Sequence, residues 1–263
     1  MAFEKILFEV RDGVATLTLN DPERLNPITR QMLTEIREAL GQVEADEAVR
    51  ALVLTGAGRG FCSGQDLTEA VVQTAKPAET VAESLDRFYH PAIQALRALR
   101  VPTVAAVNGI AAGAGANLAL HCDLVVAAQS ASFVEAFTRI GLVPDCGGTW
   151  LLPRLVGEAR ARALMLLAEP LSAEEAVAWG LIYKASPDKS FAEEVQALAA
   201  GLAAGPTRAY KMIREALEAS AGNGLAAQLD VERELQGQAA GSADFFEGVT
   251  AFKEKRAPRF SGK

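Results

Sequence analysis

Histidine and cysteine are scarce in this sequence of 263 residues, which contains two histidines and three cysteines. The cysteines are widely spaced, at Cys62, Cys122 and Cys146, and none forms a CxxC pair. This spacing provides neither a disulfide framework nor a zinc site, and such low cysteine usage is typical of a reducing compartment. We therefore expect a cytoplasmic protein without a metal site.

Several catalytic and nucleotide-binding signatures are also missing. No GK[ST] follows a glycine-rich loop, no GxSxG occurs, and Gly56, Gly58 and Gly60 do not have the GxGxxG spacing. Only His90 and His121 are available as the base of a Ser-His-Asp triad. These absences argue against phosphate-loop nucleotide hydrolysis, nicotinamide binding and triad-based hydrolysis.

An excess of basic charge is missing too, because 26 Lys and Arg face 33 Asp and Glu and the formal net charge is −7. Such a balance argues against nucleic acid as the main partner. Half of the residues are hydrophobic and 22% are charged, which is typical of a globular protein. The length predicts one large domain or one domain with an appended segment.

Long hydrophobic runs are interrupted by polar and backbone-breaking residues. The first ten residues contain Glu4 and Glu9 and do not resemble a signal peptide. Val101–Cys122 carries no formal charge over 22 residues, but Pro102 and several glycines and asparagines interrupt it. We therefore predict a buried strand, a glycine turn and a buried helix there, with no membrane span.

Strands and helices alternate to about residue 184, and helices then take over. Two β-rich runs around Asp12-Gly13 indicate a hairpin. Further strands are predicted at 50–56, 103–109, 123–128 and 133–134, and helices at 29–44, 81–99, from about 114, 172–179, 190–204, 206–220, 224–240 and 242–254. Residues 68–80 are small and polar, and we expect a mobile loop that is disordered before ligand binds. The pattern predicts an α/β core with a helical C-terminal region.

Two glycine-flanked segments form an interesting pair. Phe61–Leu67 follows a predicted strand, and Asn108–Gly115 precedes a predicted helix. Glycine and alanine leave backbone N–H groups open, and a helix N-terminus directs such donors outward. Two donors aimed at one point would form an oxyanion hole, whereas close packing of the backbone is the structural alternative.

A carboxylate in a third segment has two interpretations. Asp145 lies between Pro144 and Gly147-Gly148, near the expected start of a helix. It is either a helix N-cap, worth about 1 kcal/mol, or a proton shuttle whose pKa is raised by apolar neighbours. Cys62 and Cys146 lie beside glycines and are candidate nucleophiles, but small core or loop residues are the simpler interpretation.

The three segments, in this order, resemble the enoyl-CoA hydratase/isomerase (crotonase) superfamily. The similarity runs from the N-terminal hairpin through NDPERLNPIT to the last helix and covers nearly the whole chain. It implies a spiral of ββα units with C-terminal helices that build homo-trimers or homo-hexamers, and an acyl-CoA thioester as substrate. By position in the motifs, the oxyanion-hole donors fall on the backbone N–H groups of Gln65 and Ala114.

The sequence departs from the hydratases of this superfamily at both of their glutamates. Asn117 and Phe137 occupy those positions, so simple hydration of an enoyl-CoA is not expected. Asp145 instead matches a position used by a subset of the isomerases and by aryl-CoA dehalogenases. The resemblance thus implies that Asp145 is the catalytic acid/base.

Within the superfamily the sequence is similar to isomerases of bacterial phenylacetate degradation, which convert ring-1,2-epoxyphenylacetyl-CoA to oxepin-CoA. The similarity rests on LTGAGRGFCSGQDL, RFYHP, NGIAAGAGANLAL, GLVPDCGGTWLLPRLVG and GVTAFKEKRAPRFSGK. It implies a second activity, the shift of a double bond from C3–C4 to C2–C3 in a dehydroadipyl-CoA. No bound cofactor is implied, since coenzyme A is part of the substrate.

The resemblance also implies the surroundings of the substrate. The acyl pocket is assigned to Tyr89, His90, Asn117 and Phe137, and coenzyme A contacts are assigned to Arg24, Asn26, Asp66, Leu67, Lys253 and Lys255. A solvated surface is the alternative interpretation of the coenzyme A residues. We place the catalytic core at 1–190 and a helical region for oligomerisation and active-site cover at 191–263.

Three alternatives remain open at this point. The first is an aryl-CoA dehalogenase with Asp145 as nucleophile and His90 as base, although Phe137 replaces its hydrogen-bonding tryptophan. The second is a generic enoyl-CoA isomerase or hydratase. The third is a catalytically silent acyl-CoA-binding or RNA-binding relative that keeps only the fold.

Overall fold

The computed structural model describes residues 3–69 and 76–263, and within them the chain forms two β-sheets covered by helices. The strands are β1 (Ile6–Arg11), β2 (Val14–Leu19), β3 (Ala51–Gly56), β4 (Gly60–Cys62), β5 (Thr103–Val107), β6 (Ile110–Ala112), β7 (Leu124–Ala128), β8 (Ser132–Val134), β9 (Leu171–Ser172) and β10 (Lys184–Ser186).

The helices surround these sheets and dominate the last third of the chain. They are α1 (Arg30–Ala45), α2 (Pro77–Ser84), α3 (His90–Ala98), α4 (Ala114–Leu120), α5 (Gly148–Val156), α6 (Glu158–Leu167), α7 (Ala173–Ala178), α8 (Phe191–Ala203), α9 (Thr207–Ser220), α10 (Leu225–Ala240) and α11 (Ala243–Glu254). Short 3₁₀ turns occupy Pro22–Arg24 and Ala136–Ile140, and a π-helical turn occupies Leu85–Tyr89.

The larger sheet has the strand order β1-β2-β3-β5-β7-β10. The predicted hairpin is confirmed, because β1 and β2 pair antiparallel around Asp12 and Gly13, which both have positive φ. Such a two-residue turn matches the twist of the strands it joins. The other neighbours in this sheet are parallel, and β3 and β5 are almost completely buried. This burial explains their continuous apolar sequences.

The smaller sheet has the strand order β4-β6-β8-β9 and positions the segments that carry the candidate site residues. The strands β4, β6 and β8 are parallel neighbours, so their carboxyl ends lie at one edge. After these ends come residues 63–67 and 113–115, which are the last parts of the two glycine-flanked segments, and the stretch that begins at Glu135. Three consecutive turns of the chain therefore converge on the same region.

The uncharged stretch Val101–Cys122 is confirmed as buried core. It forms β5, β6 and the completely buried helix α4, whereas the sequence predicted one strand, a turn and the helix. In the described part of the chain, no helix is long and apolar enough to cross a membrane.

One expected loop is shorter than predicted. Residues 70–75 lie outside the described residues, but α2 already begins at Pro77, so the expectation of a loop through residue 80 is wrong for its last four residues. The helix expected from residue 81 to 99 is also two helices joined by the π-helical turn. Proline at the first helical position explains the early start, since its fixed φ suits a helix N-terminus.

The predicted C-terminal helices are all present, but the first of them belongs to the core. Phe191, Val195 and Ala199 on α8 are buried with the residues of the larger sheet. The helices α9, α10 and α11 follow and carry most of the exposed large apolar side chains of this region. The division at residue 190 remains a prediction.

Candidate active site

The first candidate donor lies just after β4. Ile28 donates its N–H to the carbonyl of Gly64 at 2.7 Å and accepts from the N–H of Asp66 at 2.9 Å. This parallel bridge turns the N–H of Gln65 away from Ile28. The N–H group of Gln65 has no hydrogen-bond acceptor within the described residues. The backbone N–H of Gln65 is therefore available to a ligand.

The second candidate donor lies just after β6, at the first residue of α4. Gly113 donates its N–H to Val134 at 2.7 Å, and its own carbonyl accepts from Asn117 at 3.0 Å. The N–H of Ala114 precedes the first helical hydrogen bond and finds no acceptor among the residues that the structure describes. Gly113 has φ +51° and ψ −126°, a conformation that side chains rarely adopt, so glycine is required to aim this donor.

The two donor segments approach each other closely. A Cβ atom on Gly64, which has φ +92°, would lie 3.0 Å from the carbonyl oxygen of Ala112. A Cβ atom on Gly115 would lie 2.5 Å from Sγ of Cys62. The close packing that the sequence offered as an alternative is present, and it coexists with two free N–H groups.

Asp145 lies in the loop before α5 and is not its N-cap. The N-cap is Gly147, and no side chain caps this helix, so the N-cap interpretation of Asp145 is wrong. Its Oδ1 atom is buried without a hydrogen-bond partner. Burial raises the pKa of Asp145, although the Cys146 thiol and the charge of His90 favour its ionised form. A carboxyl group with one unpaired oxygen and a raised pKa is better suited to exchange protons with a ligand than an exposed carboxylate.

Two buried side chains, one in α4 and one at its C-cap, hold the backbone of this loop. Asn117 is fully buried and donates its Nδ2 to the carbonyl of Asp145 at 3.0 Å. Nε2 of His121 lies 2.7 Å from the carbonyl oxygen of Cys146. Burial lowers the pKa of His121, so its neutral form is favoured. The two contacts fix the position from which the Asp145 side chain projects.

Two aromatic side chains lie close to these groups. The ring of Phe137 comes within 3.6 Å of the position that a Cβ atom on Gly113 would take, beside the second donor. Tyr89 is buried, and its hydroxyl makes no hydrogen bond to any described residue. Burial and the nearby charge of Asp145 raise the pKa of Tyr89, so its hydroxyl stays protonated.

His90 is placed differently from Tyr89, although it is the next residue. Its side chain is half exposed, and its Nδ1 lies 3.5 Å from Asp86. It influences Asp145 only through its charge, because no hydrogen bond or ion pair joins the two side chains. The structure thus brings Tyr89 into the site and leaves His90 at its rim.

The residues assigned to coenzyme A fall into two kinds. Arg24 is half exposed and forms a two-pronged pair with the buried Asp66, at 2.8 and 2.6 Å, and this pair lowers the pKa of Asp66 to about 2. Leu67 is exposed beside them.

Asn26, in contrast, is fully buried. Its side chain accepts a hydrogen bond from the backbone of Asp21 and donates to the backbone carbonyls of Ala57, Gly60 and Phe61. Asn26 therefore supports the loop from inside, and the expected coenzyme A contact through its side chain is wrong, because that side chain is fully buried and its amide atoms are already hydrogen-bonded.

Lys253 and Lys255 lie at the end of α11 and are exposed. Neither makes a hydrogen bond or an ion pair with a described residue of the site. Their assignment to coenzyme A remains a prediction.

One acidic residue of the site was missed in the sequence. Glu135 directly follows β8, is only 3% exposed, and lies with Oε2 3.4 Å from Nδ2 of Asn117. An acid placed just after a buried strand is the only signal that the sequence offers. Across the described ranges, no group of three His, Cys, Asp or Glu side chains that could hold a metal ion occurs.

Comparisons with known proteins agree over nearly the whole chain. The family described as Enoyl-CoA hydratase/isomerase matches residues 9–263. The 1,2-epoxyphenylacetyl-CoA isomerase of Escherichia coli (strain K12) is 52% identical over 260 residues, which are 99% of both proteins. The 4-chlorobenzoyl coenzyme A dehalogenase-2 of an Arthrobacter species is 34% identical over 252 residues, covering 95% of this chain and 91% of that protein.

Solved structures agree with the described architecture. The crystal structure of an enoyl-CoA hydratase from Bacillus anthracis has a TM-score of 0.93 at 31% identity, and the match covers 99% of this chain and all of that one. The predicted spiral of ββα units with a helical C-terminal region is thereby confirmed.

Proposed function

Because this chain belongs to the enoyl-CoA hydratase/isomerase family, we propose that it is an isomerase of acyl-CoA thioesters that converts ring-1,2-epoxyphenylacetyl-CoA to oxepin-CoA. A second proposed activity moves the C3–C4 double bond of an enoyl-CoA to C2–C3. A role in phenylacetate degradation follows from the similarity to the Escherichia coli isomerase.

One observation carries the proposal. Two unpaired backbone N–H groups, on Gln65 and Ala114, follow adjacent parallel strands, and the carboxyl group of Asp145 has a buried oxygen without a partner. The donors suit a thioester oxygen that becomes negative, and the carboxylate suits a proton that moves between two carbons.

The double-bond shift needs only these groups. Asp145 takes a proton from C2, the electron pair of that C–H bond forms a C1–C2 double bond, and the electrons of the thioester carbonyl move to its oxygen, which gives a dienolate. The two N–H groups hold the negative thioester oxygen while Asp145 returns the proton to C4. The electrons of the C3–C4 double bond form the new C4–H bond, those of the C1–C2 double bond become the C2–C3 double bond, and the oxygen's electron pair restores the thioester carbonyl. Atoms and charge balance without a cofactor.

The surroundings of Asp145 favour an unsaturated or aromatic acyl group. The Tyr89 hydroxyl and the Phe137 ring give this region one polar and one flat apolar wall. For coenzyme A we propose contacts at Arg24, at the backbone of Asp66 and Leu67, and at Lys253 and Lys255. The exposed apolar side chains of the C-terminal helices support assembly into a trimer or a hexamer.

The test is an assay of the purified protein in deuterated buffer with a 3-enoyl-CoA, followed by mass spectrometry and run beside Asp145→Asn. We expect double-bond migration by the wild type and none by the variant. Epoxyphenylacetyl-CoA is then assayed in the same way. Retention of turnover by Asp145→Asn would contradict the assigned proton shuttle, and binding of coenzyme A thioesters without turnover by the wild type would contradict the isomerase.

A second candidate function is hydrolytic dehalogenation of an aryl-CoA. It is favoured by the 34% identity to the Arthrobacter dehalogenase and by the presence of both Asp145 and His90. Phe137, which has no hydrogen-bond donor, and the contact of His90 with Asp86 count against it. Release of chloride from 4-chlorobenzoyl-CoA would favour this function over the isomerase.

A further inference from the structure

A buried carboxyl group that the proposed mechanism does not use lies beside Asp145. Glu135 is 3% exposed and Asn117 is fully buried. The Nδ2 atom of Asn117 lies 3.4 Å from Oε2 of Glu135 and 3.0 Å from the carbonyl oxygen of Asp145. One carboxamide therefore links Glu135 to the loop that carries the proposed proton shuttle.

The surroundings of Glu135 suit a neutral acid and oppose a carboxylate. No described cation forms an ion pair with it, and the contact with Asn117 is its only hydrogen bond to the described residues. One long bond from a neutral amide does not offset the cost of burying a charge. Oδ1 of Asn117 is also buried without a hydrogen-bond donor, and a protonated Glu135 carries an O–H donor that a carboxylate does not have.

The groups that face Glu135 from neighbouring elements add no compensating positive charge. They are Asn117 on α4, and Asp145 and Cys146 in the loop before α5. The thiol of Cys146 has a raised pKa and stays protonated, so Asp145 is the group among them that can carry a negative charge. Burial and the Asp145 charge together raise the pKa of Glu135 to about 8.

We propose that Glu135 is a positioning residue that must be protonated for turnover, so that its ionisation sets the alkaline limit of the activity. This inference rests on the proposed function. The neutral acid keeps Asn117, and through it the Asp145 loop, in place. The ionised acid puts a second negative charge beside Asp145, in a site that must also stabilise an enolate.

The direction of the pH effect follows from these charges. An ionised Glu135 disfavours both the Asp145 carboxylate and the negative thioester oxygen. If only the protonated form is active, kcat falls by up to about tenfold for each pH unit above the pKa of Glu135. Below that pKa, Glu135 leaves the rate unchanged.

The test uses Glu135→Gln, because an amide has the shape of the neutral acid and cannot ionise. We expect kcat of the variant at pH 7 to stay within about threefold of the wild type, and the alkaline decrease to disappear or to move upward by at least one pH unit. Glu169→Gln, at an exposed position, is the matched control and keeps the wild-type pH profile. An unchanged alkaline decrease in Glu135→Gln overturns the proposal.

A second readout does not depend on turnover. Between pH 4.5 and 8 an unfolded chain has ionised Glu135 while the native protein keeps it protonated, so the unfolding constant rises with pH by up to about tenfold per unit. Urea unfolding at several pH values shows this slope in the wild type and a smaller slope in Glu135→Gln. Equal slopes overturn the proposal. If the slopes of the wild type and Glu135→Gln differ but the wild type does not turn over a 3-enoyl-CoA, the result supports a protonated Glu135. The same result contradicts the proposed function.

Discussion

The side-chain amide of Asn117 donates a hydrogen bond of 3.0 Å to the backbone carbonyl of Asp145. The N–H of Gly148 donates to the same oxygen at 2.9 Å. Gly148 must be glycine for this arrangement, because a Cβ atom there would lie 2.5 Å from Nδ2 of Asn117. The position of the candidate proton shuttle is therefore fixed from α4 and from the start of α5 together.

Replacing Asn117 by alanine should weaken both the loop and the activity. The carbonyl of Asp145 keeps its bond from Gly148, so we expect a loss of about 1–3 kcal/mol in the free energy of unfolding. A displaced Asp145 should lower kcat by about 10- to 100-fold, since small misplacements of reacting groups are costly. Urea unfolding and the deuterium assay measure the two effects. Full activity in Asn117→Ala would contradict a positioning role.

Replacing Gly113 by alanine tests the second backbone donor. The conformation at Gly113 is strained for a side chain, by about 1–3 kcal/mol, and relief of this strain should turn the N–H of Ala114 away. Loss of one such donor lowers kcat by roughly 100- to 1,000-fold in other enzymes, and we expect the same here. Steady-state kinetics with a 3-enoyl-CoA provide the measurement.

The matched control for Gly113→Ala is Gly201→Ala. Gly201 lies in α8 with open space around it, so alanine should leave the activity unchanged and stabilise the helix by up to about 1 kcal/mol. Equal kinetic effects of the two substitutions would show that no donor at Ala114 takes part in catalysis.

The pair between Arg24 and Asp66 should make stability depend on pH in the acid range. The pKa of Asp66 is lowered to about 2 by Arg24, from an ordinary value of 3.8. The stabilisation is therefore complete above pH 4 and is lost as the pH falls toward 2. Because Arg24 is half exposed, solvent screening limits what this pair contributes to the free energy of unfolding. Arg24→Gln should reduce the difference in unfolding free energy between pH 5 and pH 3, and an unchanged difference would contradict the assignment.

The three cysteines should be unreactive in the native protein. All are buried, and burial raises the pKa of Cys62 to about 12. A protonated, enclosed thiol reacts slowly with a disulfide reagent. We expect no fast labelling in buffer and three labelled thiols in urea. A fast native thiol at Cys62 or Cys146 would reopen the hypothesis of a cysteine nucleophile.

The parts of the site that sequence analysis located are those formed by short, continuous segments. The two glycine-flanked segments and Asp145 are readable because glycine, proline and acidic residues mark turns and helix starts. The helix predicted at 172–179 begins for a similarly local reason, a capping box formed by Ser172 and Glu175. Local chemistry decides these features, so the local sequence is sufficient.

The parts of the site and the fold that the sequence did not predict depend on contacts between residues far apart in the chain. Glu135 is one acid among 33 acidic residues, and only its packing against α4 and the Asp145 loop makes it a buried group. The strand β6 has three residues and is defined by its pairing with β4 and β8. Residues 77–80 were predicted to be a loop because their composition is polar. They are helical because Pro77 begins α2.

The π-helical turn at Leu85–Tyr89 has a consequence for how related enzymes diverge. In this turn the N–H of His90 bonds to the carbonyl of Leu85, five residues earlier, so the chain holds one residue more than an α-helical turn. Each residue of an α-helix rotates the side chains by about 100°. Deleting one residue here would restore regular winding, keep α3 on its packing partner α1, and point a different side chain at Asp145. A single-codon insertion or deletion could thus exchange the wall of the acyl pocket in one step while the core stays intact.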